Sequence, residues 1–369
     1  MSSYSRLPRV FAVAAPLLLA ATGHLGAQES PPDTSVTVRF GGFVDGYFAY
    51  DFGGPHAIDR GFTTQSARHN EFNVNLAFLD AVLTGTRVRG RFAAQFGTSV
   101  QSNYADEPRV GSNSGPDIAR FIQEATVGVR VSDKLWVDGG IYLSHIGSES
   151  WISRDNLTYT RSIIADYSPY YQAGAKLSWQ ATPTLAAQLH VVNGWQIISE
   201  TNTAKSVGAR IDWTVTPKTT VSLYNLIGSE TPDSVPSQLR LFQGASIKLL
   251  PTDRLTLLAT FDVGTQDLGA DRGTWYGTSL VARVQATPLV AVIGRVERYD
   301  DTKQVIIVTG TSDPFRVSGG SVGVDVLPAP RVLWRSELRL LQGTYDIFPE
   351  NDGRSRNNGV LVTSLALTF

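Results

Sequence analysis

Apolar and polar residues alternate with a period of two along most of this chain, and this pattern constrains its fold most strongly. Successive side chains of a β-strand point to opposite faces, so each such run predicts a strand with one apolar face. In the second run the apolar face would carry Phe72, Val74, Leu76 and Phe78. About sixteen runs follow one another, the weakest near 219–227 and 317–327, and they predict an all-β protein.

The connections between the runs alternate in length. Seven are tight turns, at 84–86, 132–134, 182–183, 217–218, 252–253, 287–288 and 328–330. Eight are long and polar, at 51–67, 104–118, 145–168, 197–203, 229–237, 266–274, 300–316 and 346–358. This alternation predicts a transmembrane antiparallel up-and-down β-barrel with short periplasmic turns and long external loops. A soluble sandwich, the competing fold, would mix loop lengths at both ends.

The composition agrees with a barrel in lipid. After the first 27 residues, no run reaches the 18 apolar residues of a spanning helix. The chain has 16 Phe, 13 Tyr, 7 Trp and 34 Gly but no cysteine, so disulfides do not stabilise it. A barrel in lipid turns its apolar face outward, which leaves a polar lumen, and sixteen strands enclose more space than wall side chains fill.

The N-terminal segment 1–27 is predicted to be a cleaved signal peptide, and 28–369 to be the barrel. Arg6 and Arg9 precede an apolar stretch, and Ala27 offers a small-residue cleavage site. An uncleaved anchor is the competing interpretation. Without Arg6 and Arg9, 30 basic residues stand against 33 acidic ones, a balance that argues against a nucleic-acid partner.

The C-terminal strand has the clearest alternation. Leu361, Leu365, Leu367 and Phe369 fall on one face, and Ser364, Ala366 and Thr368 on the other. An apolar strand ending in phenylalanine resembles the closing strand of bacterial outer-membrane barrels. That resemblance implies recognition by the barrel-assembly machinery through the strand that ends at Phe369.

Charged residues recur on the face that would point into the lumen. The pore-lining candidates are Arg87, Arg89, Arg91, Glu71, Glu124, Asp138, Arg210, Arg240, Arg295, Arg335 and Arg339, with Arg283, Arg331, Asp45, Asp262 and Glu337 on the same parity. Guanidinium groups facing carboxylates across water would set a field that selects hydrated solutes. The same residues could instead be ion pairs that brace neighbouring strands.

The longest connection, 145–168, is a candidate constriction loop. Its polar and aromatic residues include Glu149, Arg154, Tyr159 and Arg161. Such a loop would narrow the pore if it folded inward, and the alternative is an ordinary surface loop.

Aromatic residues concentrate near the strand ends, as in the interfacial girdles of membrane barrels. The set is Tyr47, Phe48, Tyr50, Trp136, Tyr142, Tyr170, Tyr171, Trp179, Trp195, Trp213, Trp275, Tyr276, Trp334 and Tyr345. The alternative is the general enrichment of aromatics in strands.

Signals for catalysis are weak. Residues 319–323 match G-x-S-x-G around Ser321, but the motif lies within a strand pattern and not at a strand–turn–helix elbow. The histidines, among them His69 and His145, lack metal-binding spacing. We therefore expect no catalytic residues, no metal and no cofactor.

Several short motifs resemble the OmpL-like family of β-barrel porins. They are Gly42–Tyr47, Gly147–Glu149, Tyr159–Ser162, Pro169–Gly174 and Val192–Gln196, the last followed by Glu200, Asn202 and Lys205. The resemblance covers most of the chain after the signal peptide and implies an outer-membrane porin fold. It brings no catalytic residues and no assured substrate.

Together these patterns predict an outer-membrane porin for passive diffusion of small hydrophilic solutes or ions. Its other partner would be outer-membrane lipid. The architecture is also compatible with a homotrimer, in which two further copies of the chain would be partners. A barrel enzyme, or a structural or adhesion barrel without an open pore, is the alternative.

Overall fold

The computed structural model describes residues 36–369. The predicted signal peptide, 1–27, lies outside the described residues. Among the described residues, none of the helices is both long and apolar enough to cross a membrane.

Sixteen antiparallel strands close into a barrel, as the sequence predicted. They are β1 Thr37–Asp51, β2 Phe72–Thr84, β3 Val88–Phe96, β4 Ile122–Ser132, β5 Leu135–Leu143, β6 Tyr171–Thr182, β7 Leu185–Val192, β8 Ser206–Thr216, β9 Thr219–Ser229, β10 Leu239–Thr252, β11 Leu255–Asp267, β12 Arg272–Gln285, β13 Val290–Asp301, β14 Phe315–Ala329, β15 Val332–Gly343 and β18 Asn357–Thr368. Between the last two, β16 Phe348–Glu350 and β17 Gly353–Ser355 form a separate hairpin. The two runs with the weakest alternation, near 219–227 and 317–327, form β9 and β14.

The first and last strands close the barrel. β1 pairs with β18 from Phe43 opposite Thr368 to Asp51 opposite Val360. The seam continues beyond the strand, because Gly42 and Phe369 exchange two backbone hydrogen bonds of 3.0 Å. Every other strand pairs with its sequence neighbours, apart from the excursion of the β16–β17 hairpin. A closed ladder leaves no unpaired edge for lipid to meet.

All seven predicted tight turns are present, and they lie at one end of the barrel. The prediction was wrong for 266–274, because β11 and β12 continue into that range and only 268–271 connects them. Leu268 N–H donates to the carbonyl of Asp271 at 2.8 Å, and Gly269 has φ +81°, which closes a compact turn. The other long connections contain α1 Thr98–Asn103, α2 Pro116–Ala119, a 3-10 turn Ser153–Asp155 and α3 Ile163–Asp166.

The strands turn apolar side chains outward, with one local reversal. Outward residues of β18 such as Leu365 remain 56% exposed, whereas inward Val362 is fully buried. In β2 the predicted alternation fails at Asn75, which is the extra residue of a β-bulge. The bulge reverses the parity, so Phe72 and Val74 face outward but Leu76 and Phe78 face the interior.

The predicted aromatic girdles are only partly present. Tyr50, Trp179, Trp213, Tyr276 and Trp334 are exposed on the outer surface. In contrast, five aromatic residues are buried, and all of them pack in apolar clusters: Tyr47, Tyr142, Tyr170, Tyr171 and Trp275. The prediction failed for these residues because the interior contains packed loops as well as polar wall side chains.

Candidate functional site

The connection 144–170, here called the inward loop, packs against the inner wall formed by β13, β14, β15 and β18. Arg335 of β15 is the main anchor. Its guanidinium donates to the backbone carbonyls of Ser153 at 2.6 Å, Asn156 at 2.6 Å and Thr158 at 3.0 Å. It also pairs with the Asp325 carboxylate, Nε to Oδ1 being 3.1 Å. A planar fork with five donors suits this task, because it joins one carboxylate to three carbonyls at once.

Arg295 and Glu337 hold the middle of the loop. Arg295 donates to the Thr160 carbonyl at 2.6 Å, and Glu337 accepts from the Thr160 N–H at 2.8 Å. The two side chains also pair with each other, Nη2 to Oε1 being 3.2 Å. Glu297 accepts the N–H of Ile163 at 2.7 Å and pairs with Arg339. These four charged side chains are nearly inaccessible to water, and their charges are balanced within the contact.

The start of the inward loop is fixed on the opposite wall. Arg210 of β8 donates to the carbonyls of His145 and Gly147, each at 2.8 Å. On the near side, Asp45 of β1, the strand next to β18, accepts from the Ser153 hydroxyl at 2.8 Å and from the Asn75 amide at 3.0 Å. The inward loop therefore spans the lumen and is bonded to wall strands on both sides.

The other half of the lumen is more open. A cavity of about 660 Å³ lies along β3 to β7 and extends to the tight turns. Its polar wall includes Arg89, Arg91, Glu124, Asp138 and Lys176, with Trp136 beside them. The size suits a small solute.

Two ion-pair groups occupy the cavity wall. Arg89 donates to Asp138, Nε to Oδ1 being 2.7 Å, and its guanidinium carbon lies 4.5 Å from the Trp136 ring centroid. Arg91 bridges Asp80, at 2.8 Å, and Glu124. The Arg89 side chain is 36% exposed and that of its partner Asp138 is 6% exposed. In contrast, Arg295 and its partners Glu297 and Glu337 are all nearly inaccessible. The cavity-side pair therefore reaches water through its arginine, and the loop-side group does not.

A family model described as "Putative beta-barrel porin-2, OmpL-like" matches residues 37–369, which is nearly all of the described chain. The chain belongs to this family. Its membership and its closed barrel, apolar outside and polar inside, make it an outer-membrane porin. A comparison with curated proteins finds no significant match.

Several solved structures share the barrel. In-vitro folded OmpT, an outer membrane protein of Vibrio cholerae, has a TM-score of 0.59 at 9% identity, over 91% of this chain and 98% of that one. An anion-selective porin from Comamonas acidovorans gives 0.58 at 12%, over 90% and 100%. Pseudomonas putida OprB gives 0.58 at 13%, over 90% and 94%. At such identities the likeness establishes the fold alone.

The porin does not bring all the predicted pore residues to the lumen. Arg87 lies exposed in the β2–β3 turn, and Arg331 lies exposed in the β14–β15 turn. Glu71 lies in the external loop before β2, where its hydrogen bonds from Arg68, the main cause, and from Asn73 lower the pKa of its carboxyl. The three parity arguments failed because β3 and β15 each begin one residue later than predicted and β2 begins two residues later.

Arg240 also departs from a water-facing position. It is 9% exposed and donates to the Gln266 side chain at 2.8 Å. The Trp195 ring centroid is 5.2 Å from its guanidinium carbon and the Trp275 centroid 5.8 Å. The inward parity of Arg240 is correct, but the loop-end half of the lumen is filled by an apolar cluster around it.

The four constriction-loop candidates occupy different environments. Glu149 accepts the N–H of Ser162 at 3.0 Å and closes the loop on itself. Arg154 donates to the Arg331 carbonyl at 2.7 Å, close to a tight turn, so the loop extends deep into the barrel. Tyr159 is buried beside Asp45, and Arg161 lies over the Tyr170 ring at 3.8 Å.

Several residues that anchor the inward loop or line the cavity were not predicted from the sequence. Glu297 and Asp325 anchor Arg339 and Arg335, and Lys176 lines the cavity. A signal was present, because Glu297 is two residues from Arg295 and Lys176 shares the parity of Gln172 and Ser178. No sequence pattern indicated which of these residues the inward loop would cover.

The residues considered for catalysis do not lie together in one site. Ser321 lies within β14, as its strand pattern indicated, and its buried hydroxyl has no hydrogen-bond partner among the described residues. His69 accepts the Asp51 N–H at 2.9 Å, and His145 stacks on His190 with ring centroids 4.0 Å apart. Within 36–369, histidines and carboxylates form no cluster suited to a metal ion.

Proposed function

We propose that this porin passes small hydrophilic solutes by diffusion along the β3–β7 side of the lumen, past the inward loop. The single observation that carries the proposal is the asymmetric interior, because one side is sealed by Arg335 and Arg295 while the other keeps a cavity of about 660 Å³ with charged walls. Charged side chains retain water around them, since dry and isolated charges would cost several kcal/mol each.

The inward loop would set the size limit, and the cavity wall the charge preference. Of the original candidates, Arg89, Arg91, Glu124 and Asp138 would face the solute, whereas Arg295, Arg335 and Arg339 would position the loop. A rigidly held loop keeps a constant constriction, and loss of its anchors would let it fluctuate.

The family and the fold favour a channel without catalytic activity. The chain would reach the outer membrane after cleavage of residues 1–27, and the seam strand ending at Phe369 would be read by the assembly machinery. A homotrimer is part of the same proposal, because the barrel architecture is compatible with one.

Single-channel recording in planar bilayers tests the conduction path. The refolded full-length porin should give discrete open steps whose conductance rises with salt. Glu124→Trp would intrude into the cavity and should lower the step size, whereas Arg298→Trp, on the outer side of β13, should leave it unchanged. A folded barrel without steps would contradict the function, and equal steps in all three proteins would contradict the path.

A further inference from the structure

Among the described residues that line the β3–β7 cavity, one cationic side chain has neither a carboxylate nor any other hydrogen-bond acceptor. Arg89 is held by Asp138, and Arg91 by Asp80 and Glu124. The Lys134 ammonium donates to the Ala181 carbonyl at 3.0 Å. Lys176 differs, because within 36–369 its Nζ has no carboxylate within 4.0 Å and no hydrogen-bond acceptor, only the Tyr142 ring at 4.8 Å.

The partner that Lys176 would be expected to use is already committed. Asp138 lies directly opposite Lys176 in the β5–β6 ladder. Its two carboxylate oxygens, however, both accept from Arg89. An ammonium on a lumen wall, without a counter-charge of its own, attracts a mobile anion.

Neighbouring groups could complete a site for an oxyanion. Ser178 and Gln188 form the next inward pair of the β6–β7 ladder toward the turns, and both line the cavity. The Gln188 side-chain oxygen is taken by His190 at 3.1 Å, which leaves its amide donors directed away from that contact. An ammonium, a hydroxyl and an amide are the donors that a carboxylate accepts from.

The tight turns at the opening of the cavity also favour anions. The seven tight turns carry Arg87, Lys134, Lys218, Arg254 and Arg331 but only Asp133 and Asp253. A basic rim raises the local concentration of anions and steers them to the opening.

We propose that the β3–β7 cavity is a binding site for small organic carboxylates, with the ligand carboxylate on the Lys176 ammonium. This inference rests on the proposed function, because the site lies on the diffusion path. It makes the porin a channel that binds its solutes weakly during passage, which saturable transport would require.

Ligand-observed fluorine NMR on the refolded, detergent-solubilised full chain tests the site without requiring conduction. The probe is 4-fluorobenzoate, and the matched neutral and cationic probes are 4-fluorobenzamide and 4-fluorobenzylamine. Only the fluorine signal of 4-fluorobenzoate should broaden when the porin is added. Lys176→Gln should weaken its binding about fivefold, the value of one exposed charge contact, and Lys176→Arg should restore it.

Lys303→Gln is the matched control, because Lys303 is an exposed lysine of the loop between β13 and β14, at the opposite end of the barrel from the tight turns. It should bind the probe like the parent. Equal binding by Lys176→Gln and the parent, or broadening of the neutral amide, would overturn the carboxylate site. Conductance steps in those same samples would show that the porin function stands even then, and their absence would remove the function separately.

Discussion

The two halves of the lumen use the same residue types for different purposes. On the β13–β15 side, Arg335 and Glu337 are nearly inaccessible and bind backbone groups of the inward loop. On the β3–β7 side, Arg89 and Asp138 bind each other beside a cavity. Inward parity therefore does not make a residue pore-lining, and what it faces across the lumen decides its role.

The difference also concerns stability. A buried guanidinium that loses or gains a partner changes the free energy of unfolding strongly, because no water replaces the partner. A pair whose arginine reaches water changes it less, since water solvates the guanidinium that is left without its partner. Mutations on the two sides should therefore differ in the size and in the kind of their effects.

The largest expected effect is that of Arg335→Ala. It removes three hydrogen bonds to loop carbonyls, and among residues 36–369 it leaves Arg283, 3.5 Å away, as the one basic partner of Asp325. We expect a loss of about 3–5 kcal/mol in the free energy of unfolding, measured by denaturant titration in lipid, and larger, noisier single-channel steps. Arg298→Ala, whose side chain is 53% exposed, is the control and should cost under about 1 kcal/mol. Similar effects of the two variants would mean that the loop does not depend on its anchor.

The second largest effect is expected for Gly140→Ala, in the wall on the β3–β7 side of the lumen. There the strands must be held by their own pairing. Gly140 of β5 has φ +129°, and a Cβ there would collide with the carbonyl oxygen of Ala125. Gly140→Ala should cost about 2 kcal/mol or more in unfolding free energy. Gly294→Ala on β13, where no atom lies within 4 Å of an added Cβ, is the matched control and should be neutral. A tolerated Gly140→Ala would show that the β4–β5 backbone can relax.

A smaller stability effect with a clear functional readout is expected for Asp138→Asn. Asp138 is nearly buried, but the guanidinium left behind is 36% exposed, so the loss in unfolding free energy should be about 1–2 kcal/mol. The freed guanidinium adds positive charge to the cavity, and the anion-to-cation permeability ratio should rise roughly twofold. The reversal potential under a salt gradient measures it. A shift toward cations, or none, would place the conduction path elsewhere.

The smallest effect is expected for Ser321→Ala. The hydroxyl is buried without a partner among the described residues, so its removal should be neutral or slightly stabilising. Conductance and any ester hydrolysis by the preparation should match those of the parent. Hydrolysis that disappears in this variant would revive the interpretation of the barrel as an enzyme.

The sequence by itself determined the barrel. Period-two alternation with tight and long connections in turn specified sixteen antiparallel strands, because the period follows from local backbone geometry. It also placed Leu365 outward and Ser364 inward on the closing strand. Its errors were local: Asn75 hides a bulge, 268–271 is a compact turn, and Arg87 and Glu71 fall just outside their strands.

Only the tertiary structure decided what the inward residues do. Arg335 and Arg89 carry the same charge on the same kind of wall, yet one is covered by the inward loop and the other faces the cavity. That distinction depends on contacts between residues such as Ser153 and Arg335, which lie far apart in the chain. Strand periodicity depends on residues that are adjacent in the sequence. The path of a long loop depends on long-range hydrogen bonds, which leave no local pattern in the sequence.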